Sequence, residues 1–178
     1  MELEFFTECC QYHFIFNTFV PTNIVDTKME IEKSIKNSIP LSPEARTTVN
    51  ILFTSRFIEE HSAPLYKEYG ITMAHFNILR ILRGQKGKPA NLSTLQERMI
   101  DRSSNTTRLI DKLITKKWVT RRVCPSNRRK IEVYITELGL STLSEIDRGV
   151  ERTLKGILAN LTQQEMGLLN TLLDKVRA

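Results

Sequence analysis

The residues with the clearest chemical potential lie between Ser103 and Lys116, where polar and basic side chains recur at helical spacing. At 100° per residue, one arc of a helix over this segment carries Ser104, Asn105, Arg108, Lys112 and Thr115. The opposite arc carries Thr106, Leu109, Ile110 and Leu113. Hydroxyls, an amide and two cations can bond to phosphates and to base edges in the major groove. The segment therefore predicts a helix that packs through one face and can contact duplex DNA through the other.

A second basic group follows between two stretches of alternating hydrophobicity. Residues 119–124 and 131–136 have the period of two that is typical of strands, and residues 125–130 supply a turn between them. The tip of this predicted hairpin carries Arg128, Arg129 and Lys130. A planar arginine at such a tip fits the narrow, electronegative minor groove. We therefore expect the tip to reach DNA beside the helix.

The charge distribution agrees with a polyanionic partner. Residues 91–136 contain 11 lysines and arginines against 4 acidic residues, whereas the whole chain of 178 residues has a formal net charge of +6. The basic charge is therefore concentrated in one block. A solvated charged face without a partner is the alternative interpretation of such a block.

Residues that could carry catalysis or bind a metal are not arranged for it. The three cysteines (Cys9, Cys10 and Cys124) and the three histidines (His13, His61 and His75) do not form a zinc-ligand pattern. There is no nucleophile paired with a base and no phosphate-binding glycine motif. The sequence predicts no enzyme activity, no catalytic or metal site and no cofactor. Three cysteines fit a reducing cytoplasm, and no run of 18 apolar residues predicts a membrane span.

Six helices are predicted, and the polar helix that carries these groups is the fourth of them. The first begins after Ser42 and runs to about Tyr69, with Pro64 expected to kink or break it. Thr72 caps a second helix that ends near residues 84–87. A capping box from Ser93 to Gln96 predicts a short third helix through Met99, and the polar helix of residues 103–116 follows.

The remaining helices lie at the carboxyl end. Thr136 is predicted to cap a long helix whose apolar residues recur every three or four positions as far as Leu161. Thr162 and Glu165 then form a capping box for a last helix. Residues 1–28 differ in composition from the rest, with six aromatic residues and no basic one before Lys28. We interpret them as a weakly ordered extension or an upstream mis-start.

A short helix, a tight turn, an amphipathic helix and a basic hairpin in succession describe a winged helix-turn-helix. The predicted fold class is mainly α with a small β-hairpin (α+β). Trp118 is expected to anchor the hairpin to the preceding helix. Arg121 and Arg122 alternate on a strand, so one of them is expected to pair with an acid such as Glu132 or Asp111.

These segments resemble the MarR family of bacterial transcriptional regulators. The likeness covers roughly residues 40–178 and is carried by Ile71–Asn77, Leu92–Met99, Asp101–Leu113, Trp118–Val119 and Cys124–Thr136. The resemblance implies a homodimer built from an N-terminal helix (40–70) and C-terminal helices (137–178), with a winged helix-turn-helix (71–136) that binds a pseudo-palindrome in double-stranded DNA. It also implies release by a small phenolic or lipophilic effector, and repression as the commoner mode.

The resemblance assigns roles to particular residues. The recognition helix falls on residues 103–108, and the DNA-binding candidates are Ser103, Ser104, Asn105, Thr107, Arg108, Lys112, Arg128, Arg129 and Lys130, with Arg129 as the wing arginine. The ligand crevice falls near Phe57, His61, Tyr66, His75 and Phe76, and core packing is the alternative role for each of these. A dimeric helical protein-interaction adaptor without DNA binding is the alternative function.

Two positions depart from the family pattern. Asn127 stands where the family usually has an aspartate that orients the wing arginine. Lys117 stands where the family usually has glycine after the recognition helix, and a left-handed residue other than glycine costs on the order of 1 kcal/mol. We therefore expect this helix to continue slightly past its usual end.

Overall fold

A computed structural model describes residues 31–125 and 127–178, with the backbone alone for Arg128 and Arg129. The predicted extension at residues 1–28 lies outside the described residues, as do Cys9 and Cys10. The described chain divides into two units, one ending at Val49 and the other beginning at Asn50.

The first unit contains a short helix and the start of a long one. Helix α1 spans Ile31–Ser34, and helix α2 spans Pro43–Glu68 across the division between the units. The backbone N–H of Ala45 donates to the Ser42 hydroxyl at 3.3 Å, so Ser42 caps α2 as predicted. Within this unit, Arg46 Nη2 donates to Glu32 Oε2 at 2.9 Å.

Helix α2 continues through Pro64, so of the predicted kink or break, the break was wrong. Proline removes one backbone hydrogen bond from a helix interior, but packing on either side of it can hold the helix. Ser62 and Tyr66 flank Pro64 and are both buried. The helix ends at Glu68, close to the predicted end at Tyr69.

The next helices belong to the second unit and follow one another closely. Helix α3 spans Met73–Gly84, strand β1 spans Ala90–Asn91, helix α4 spans Leu92–Arg98 and helix α5 spans Thr106–Thr115. The N-cap of α3 is Thr72, as predicted. The N-cap of α4 is Asn91 and not Ser93, because Asn91 Oδ1 accepts from the Thr94 N–H at 2.8 Å. The predicted capping box from Ser93 to Gln96 was therefore wrong.

The sheet has one more strand than the hairpin predicted from the sequence. Strand β2 spans Val119–Cys124, strand β3 spans Asn127–Ile135, and the antiparallel order is β1-β3-β2. Cys124 pairs with Asn127 and Val123 pairs with Ile131, so residues 128–130 bulge out of the register between them. These three basic residues therefore lie in β3 rather than in the predicted turn of residues 125–130.

Two helices complete the described chain. Helix α6 spans Glu137–Ile157 and helix α7 spans Gln163–Val176. The Thr136 hydroxyl accepts from the Gly139 N–H at 3.0 Å, which confirms the predicted cap of α6. Thr162 and Glu165 form the predicted capping box, with the Thr162 N–H donating to Glu165 Oε2 at 2.8 Å.

The core lies where α3, α4, α5, α6 and the sheet meet. Its fully buried side chains are Ile78, Leu79, Leu82, Leu95, Leu113, Val119, Val133, Leu143 and Ile146. Trp118 belongs to the same cluster, which confirms its role as an anchor between α5 and the hairpin. A Cβ atom at Gly139 would lie 2.2 Å from the Trp118 carbonyl oxygen, so only glycine permits α6 to approach the start of the wing this closely.

Candidate nucleic-acid interface

Helix α5 has the two faces that its sequence predicts. Thr106, Ile110 and Leu113 are buried, whereas Arg108 and Lys112 are exposed. Asn105, Thr107 and Thr115 are exposed too. The packed face fixes the helix on the core, and the polar face is left open to a partner.

The amino end of α5 differs from the predicted helix over residues 103–116. The helix begins at Thr106, and its N-cap is Asn105, whose Oδ1 accepts from the Arg108 N–H at 3.1 Å. Ser103 and Ser104 therefore lie in the loop that precedes the helix. Both serine hydroxyls donate to the Asp101 carboxylate, at 2.6 Å from Ser103 and 2.7 Å from Ser104.

Side chains from neighbouring helices hold this loop. Asn77 Oδ1 on α3 accepts from the Ile100 N–H at 3.0 Å, and Gln96 Nε2 on α4 donates to the Arg102 carbonyl at 3.3 Å. The Ser103 N–H donates to Asp101 at 2.9 Å. The bonds from the Ser103 hydroxyl, the Ser104 hydroxyl and the Ser103 N–H lower the pKa of the Asp101 carboxyl, and the Ser103 hydroxyl has the largest effect. The loop is thus fixed, and Asp101 is an anion within it.

The carboxyl end of α5 is a Schellman motif without glycine. Lys117 adopts φ +60°, its N–H donates to the Ile114 carbonyl at 2.8 Å, and the Trp118 N–H donates to the Leu113 carbonyl at 3.1 Å. The helix therefore ends at Thr115, and the expectation that it would continue past its usual end was wrong. Trp118, directly after the motif, is buried.

The two arginines of β2 have different surroundings. Arg121 Nη1 lies 2.8 Å from Asp111 Oδ1 on α5, which confirms one of the two predicted acid partners. Arg122 lies opposite Glu132 on β3, with its guanidinium carbon 5.6 Å from the ring centroid of Tyr134. Arg121 therefore ties the wing to α5, and Arg122 lies on the other face of the sheet.

The wing carries the remaining basic candidates. Lys130 is exposed on β3. Arg128 and Arg129 lie in the same strand, and their side chains are outside the described part of the structure, so the contact of Arg129 with a minor groove stays a prediction. Asn127 pairs with Cys124 across the end of the hairpin.

His75 is a buried histidine beneath α5. Its Nδ1 accepts from the Thr72 N–H at 3.2 Å and lies 2.7 Å from the Thr72 hydroxyl, so it takes the place of the acid in a capping box. Burial is the main cause that lowers its pKa to about 4, and the charges of Lys112 and Lys116 add to the effect. His75 is therefore neutral at physiological pH.

The five candidate crevice residues fall into separate groups. Tyr66 and Phe76 are buried with ring centroids 5.3 Å apart, and His75 is buried in the cap of α3. Phe57 and His61 are exposed on α2, with ring centroids 3.8 Å apart. A cavity of about 250 Å³ lies elsewhere, beside the wing, lined by Pro89, Asn91, Cys124, Asn127, Lys130 and Glu132. The packing of Tyr66, His75 and Phe76 is accounted for by the core.

Two acids that were not predicted from the sequence stabilise this region. Asp101 holds both serines, and the spacing of an aspartate two and three residues before two serines was the available signal. Asp147 on α6 forms an ion pair with Arg83 on α3, and no local pattern marks that pair because 64 residues separate its members. In the residues that the structure describes, no group of histidines, cysteines and acids is placed to hold a metal ion, and no helix is long and apolar enough to cross a membrane.

An amphipathic helix fixed by a preceding helix and a rigid turn, followed by a β-wing tied to it through an ion pair, defines a winged helix-turn-helix. Comparison with known proteins narrows this class. The model of the MarR family matches residues 71–131. The regulator MhqR of Bacillus subtilis is 25% identical over 145 residues, which cover 82% of this chain and 92% of MhqR. Residues 71–131 therefore carry the MarR family pattern, and most of the chain is similar to transcriptional regulators of that family.

Solved structures agree with this fold. A mutant of MarR from E. coli, crystallised with operator DNA, is 25% identical with a TM-score of 0.62, covering 71% of this chain and 89% of that one. The organohalide-sensing regulator RdhR, in its 2,4-dichlorophenol bound form, is 20% identical with a TM-score of 0.70, covering 77% of this chain and 80% of RdhR. The predicted winged-helix fold, mainly helical with a small sheet, is confirmed.

Proposed function

We propose that this regulator is a homodimeric repressor that binds a pseudo-palindromic operator through α5 and the wing. The observation that carries the proposal is the exposed face of α5, where Arg108 and Lys112 lie beside the Asn105 cap. Nothing else in the described chain engages the Arg108 guanidinium or the Lys112 amine, so both cations are available to DNA. Repression is proposed because it is the commoner mode in the family.

The roles within this surface follow from its geometry. Asn105 uses its oxygen to cap α5, which leaves its Nδ2 group to donate outward. Thr107 and Arg108 lie in the first turn of the helix, where side chains of a recognition helix reach base edges. Lys112 is one turn further along and suits a phosphate, and Arg128, Arg129 and Lys130 of the wing would contact the adjoining backbone and minor groove.

Two exposed apolar faces support the homodimer. On α7, Leu168, Leu172 and Val176 recur at a spacing of four, and their exposed fractions are 61%, 51% and 67%. On α2, Phe53 and Phe57 are each 41% exposed at the same spacing. Apolar faces of this kind on a soluble protein mark an interaction surface. A second copy is the proposed partner, and the two-fold axis of such a dimer would match a pseudo-palindromic site.

The DNA contacts are tested by comparing arginines that carry the same charge. The parent, Arg108→Ala, Arg129→Ala and the control Arg152→Ala on α6 would be titrated against a duplex that the parent selects from a random-sequence pool. We expect Arg108→Ala to lose about 1–3 kcal/mol at specific major-groove positions, and Arg129→Ala to lose affinity mainly at A·T-rich flanks. Arg152→Ala should bind like the parent. Equal binding by all four proteins, or the absence of any selected sequence, would overturn the proposal.

The dimer has a test of its own. Sedimentation of the parent is expected to give twice the mass of the chain, and Leu172→Asp on α7 is expected to give monomers that bind the selected duplex weakly. A parent that is monomeric at micromolar concentration would contradict the two-fold arrangement.

Because a regulator of bacterial genes works where the DNA is, we also propose that the protein is located in the cytoplasm.

We also propose release by a small lipophilic or phenolic ligand. The support is the resemblance together with the fold shared with RdhR, which was crystallised with 2,4-dichlorophenol. Since Tyr66, His75 and Phe76 are buried, and Phe57 belongs to the α2 face proposed for the dimer, His61 is the candidate that a ligand can reach without rearrangement. Titration of the protein–DNA complex with 2,4-dichlorophenol, for the parent and for His61→Ala, should release DNA only from the parent. Failure of 2,4-dichlorophenol to release the parent would count against this part of the proposal.

A further inference from the structure

The basic surface around α5 contains one acid whose position is unusual. Asp101 is exposed in the loop before α5, and its carboxylate accepts three hydrogen bonds from the residues that lead into the helix. Oδ1 accepts from the Ser103 N–H and hydroxyl, and Oδ2 accepts from the Ser104 hydroxyl. The loop that would lie nearest to DNA is therefore organised around an anion.

This arrangement determines what the two serines can do. A serine hydroxyl has a single proton to donate, and a phosphate diester oxygen can only accept. Ser103 and Ser104 therefore cannot donate to a phosphate while both bond to Asp101. Asp101 and the DNA backbone compete for the same two protons, and the charge of Asp101 repels the phosphates as well.

We propose that Asp101 is a positioning residue that determines DNA selectivity by keeping the hydroxyls of Ser103 and Ser104 from the phosphate backbone. The inference rests on the proposed contact of α5 with DNA. Phosphate contacts raise affinity for every sequence alike, so two donors withheld from the backbone lower non-specific binding. Selection then depends on the donors that remain at this end of α5, which are Asn105, Thr107 and Arg108.

The experiment compares Asp101→Asn, Ser104→Ala and the double variant with the parent. Asparagine has the shape of aspartate but only one acceptor oxygen and no charge, so it frees at least one serine hydroxyl. Each protein would be titrated against the duplex selected by the parent and against an unrelated duplex of equal length, between 50 and 200 mM salt. Asp174→Asn on α7 makes the same change of charge outside the winged helix and serves as the control.

We expect Asp101→Asn to bind the unrelated duplex about tenfold more tightly, with a salt slope steeper by about one unit for each new phosphate contact. The ratio of specific to non-specific affinity should fall accordingly. Ser104→Ala alone should change neither affinity, because its proton is already committed to Asp101. In the Asp101→Asn background, the same serine substitution should remove part of the gain. Asp174→Asn should behave like the parent.

Three outcomes would overturn the inference. If Ser104→Ala weakens binding in the parent as much as in the Asp101→Asn background, the serine donates to phosphate in the native complex. If Asp101→Asn leaves the unrelated duplex unaffected or weakens binding to both duplexes equally, the carboxylate does not set selectivity. A parent that selects no sequence would overturn the proposed function along with this inference, whereas the first two outcomes leave the proposed function intact.

Discussion

The buried imidazole of His75 makes the stability of this protein sensitive to mild acid. In the folded chain its pKa is about 4, against 6.5 for an unperturbed histidine. Between these values the unfolded chain binds a proton that the folded chain does not, so stability falls as pH falls through this window. The contribution is fully present above pH 6.5, decreases by about 2 kcal/mol between pH 7 and pH 5, and becomes constant below pH 4.

Urea unfolding at fixed protein concentration, at several pH values from 7.5 to 4.5, would measure this effect. The matched variant is His75→Gln, because glutamine at the same position of a capping box can accept from the Thr72 N–H but does not titrate. We expect the difference in unfolding free energy between parent and variant to change by about 2 kcal/mol from pH 7 to pH 5. A difference independent of pH would refute the reasoning. An NMR titration of the parent, with a midpoint for His75 near 6.5, would refute it independently of the variant.

Three further comparisons of variants test other parts of the fold by urea unfolding. Gly139→Ala should destabilise the protein by more than about 2 kcal/mol, because its Cβ would meet the Trp118 carbonyl. Gly156→Ala on the same helix meets no atom within 4 Å and should stabilise the protein by about 0.5–1 kcal/mol. Equal effects of the two substitutions would contradict the close approach at Gly139. Lys117→Gly should relieve the strain of the left-handed backbone at this position and stabilise the chain by about 0.5–1 kcal/mol. The control Lys112→Gly, within α5, should destabilise the chain. A loss of stability in both variants would show that the backbone at Lys117 is not strained. A double-mutant cycle on Asp111→Ala and Arg121→Ala should give a coupling of only about 0.5 kcal/mol, since both side chains are about half exposed, and a coupling above about 2 kcal/mol would mean that the pair is desolvated.

The parts of the fold that the sequence predicts correctly are those set by local patterns. The helices of residues 43–68, 73–84, 137–157 and 163–176 have apolar periodicity and hydrogen-bonding caps, and they appear at or near the expected positions. The faces of α5 follow from its periodicity in the same way. The start of α5 was placed three residues too early because serines suit both a first helical turn and an Asp-anchored loop, and Asp101 decides between these.

Long-range pairing accounts for the other differences. Strand β1 has two residues and pairs with a strand more than 40 positions away, so no local pattern marks it. That pairing also places Asn91 at the start of α4, where it caps the helix in place of Ser93. Pro64 lies in a helix whose neighbouring residues are buried, and the burial could not be read from the sequence. Among the candidate site residues, Ser103 and Ser104 are held by Asp101, but their spacing from it also fits a helical turn, so the coordinates were needed to decide between the two.

The pairing of β1 with β3 affects how the wing can be studied. Because Ala90 and Asn91 are paired with Val133 and Glu132, and Val133 is fully buried, strand β3 belongs to the core of the domain as well as to the wing. A chain truncated through the hairpin would lose its fold along with its wing, and its failure to bind DNA would carry no information about groove contacts. The bulged segment at 128–130 lies outside the paired register, so substitutions there change the basic side chains without removing a strand pair.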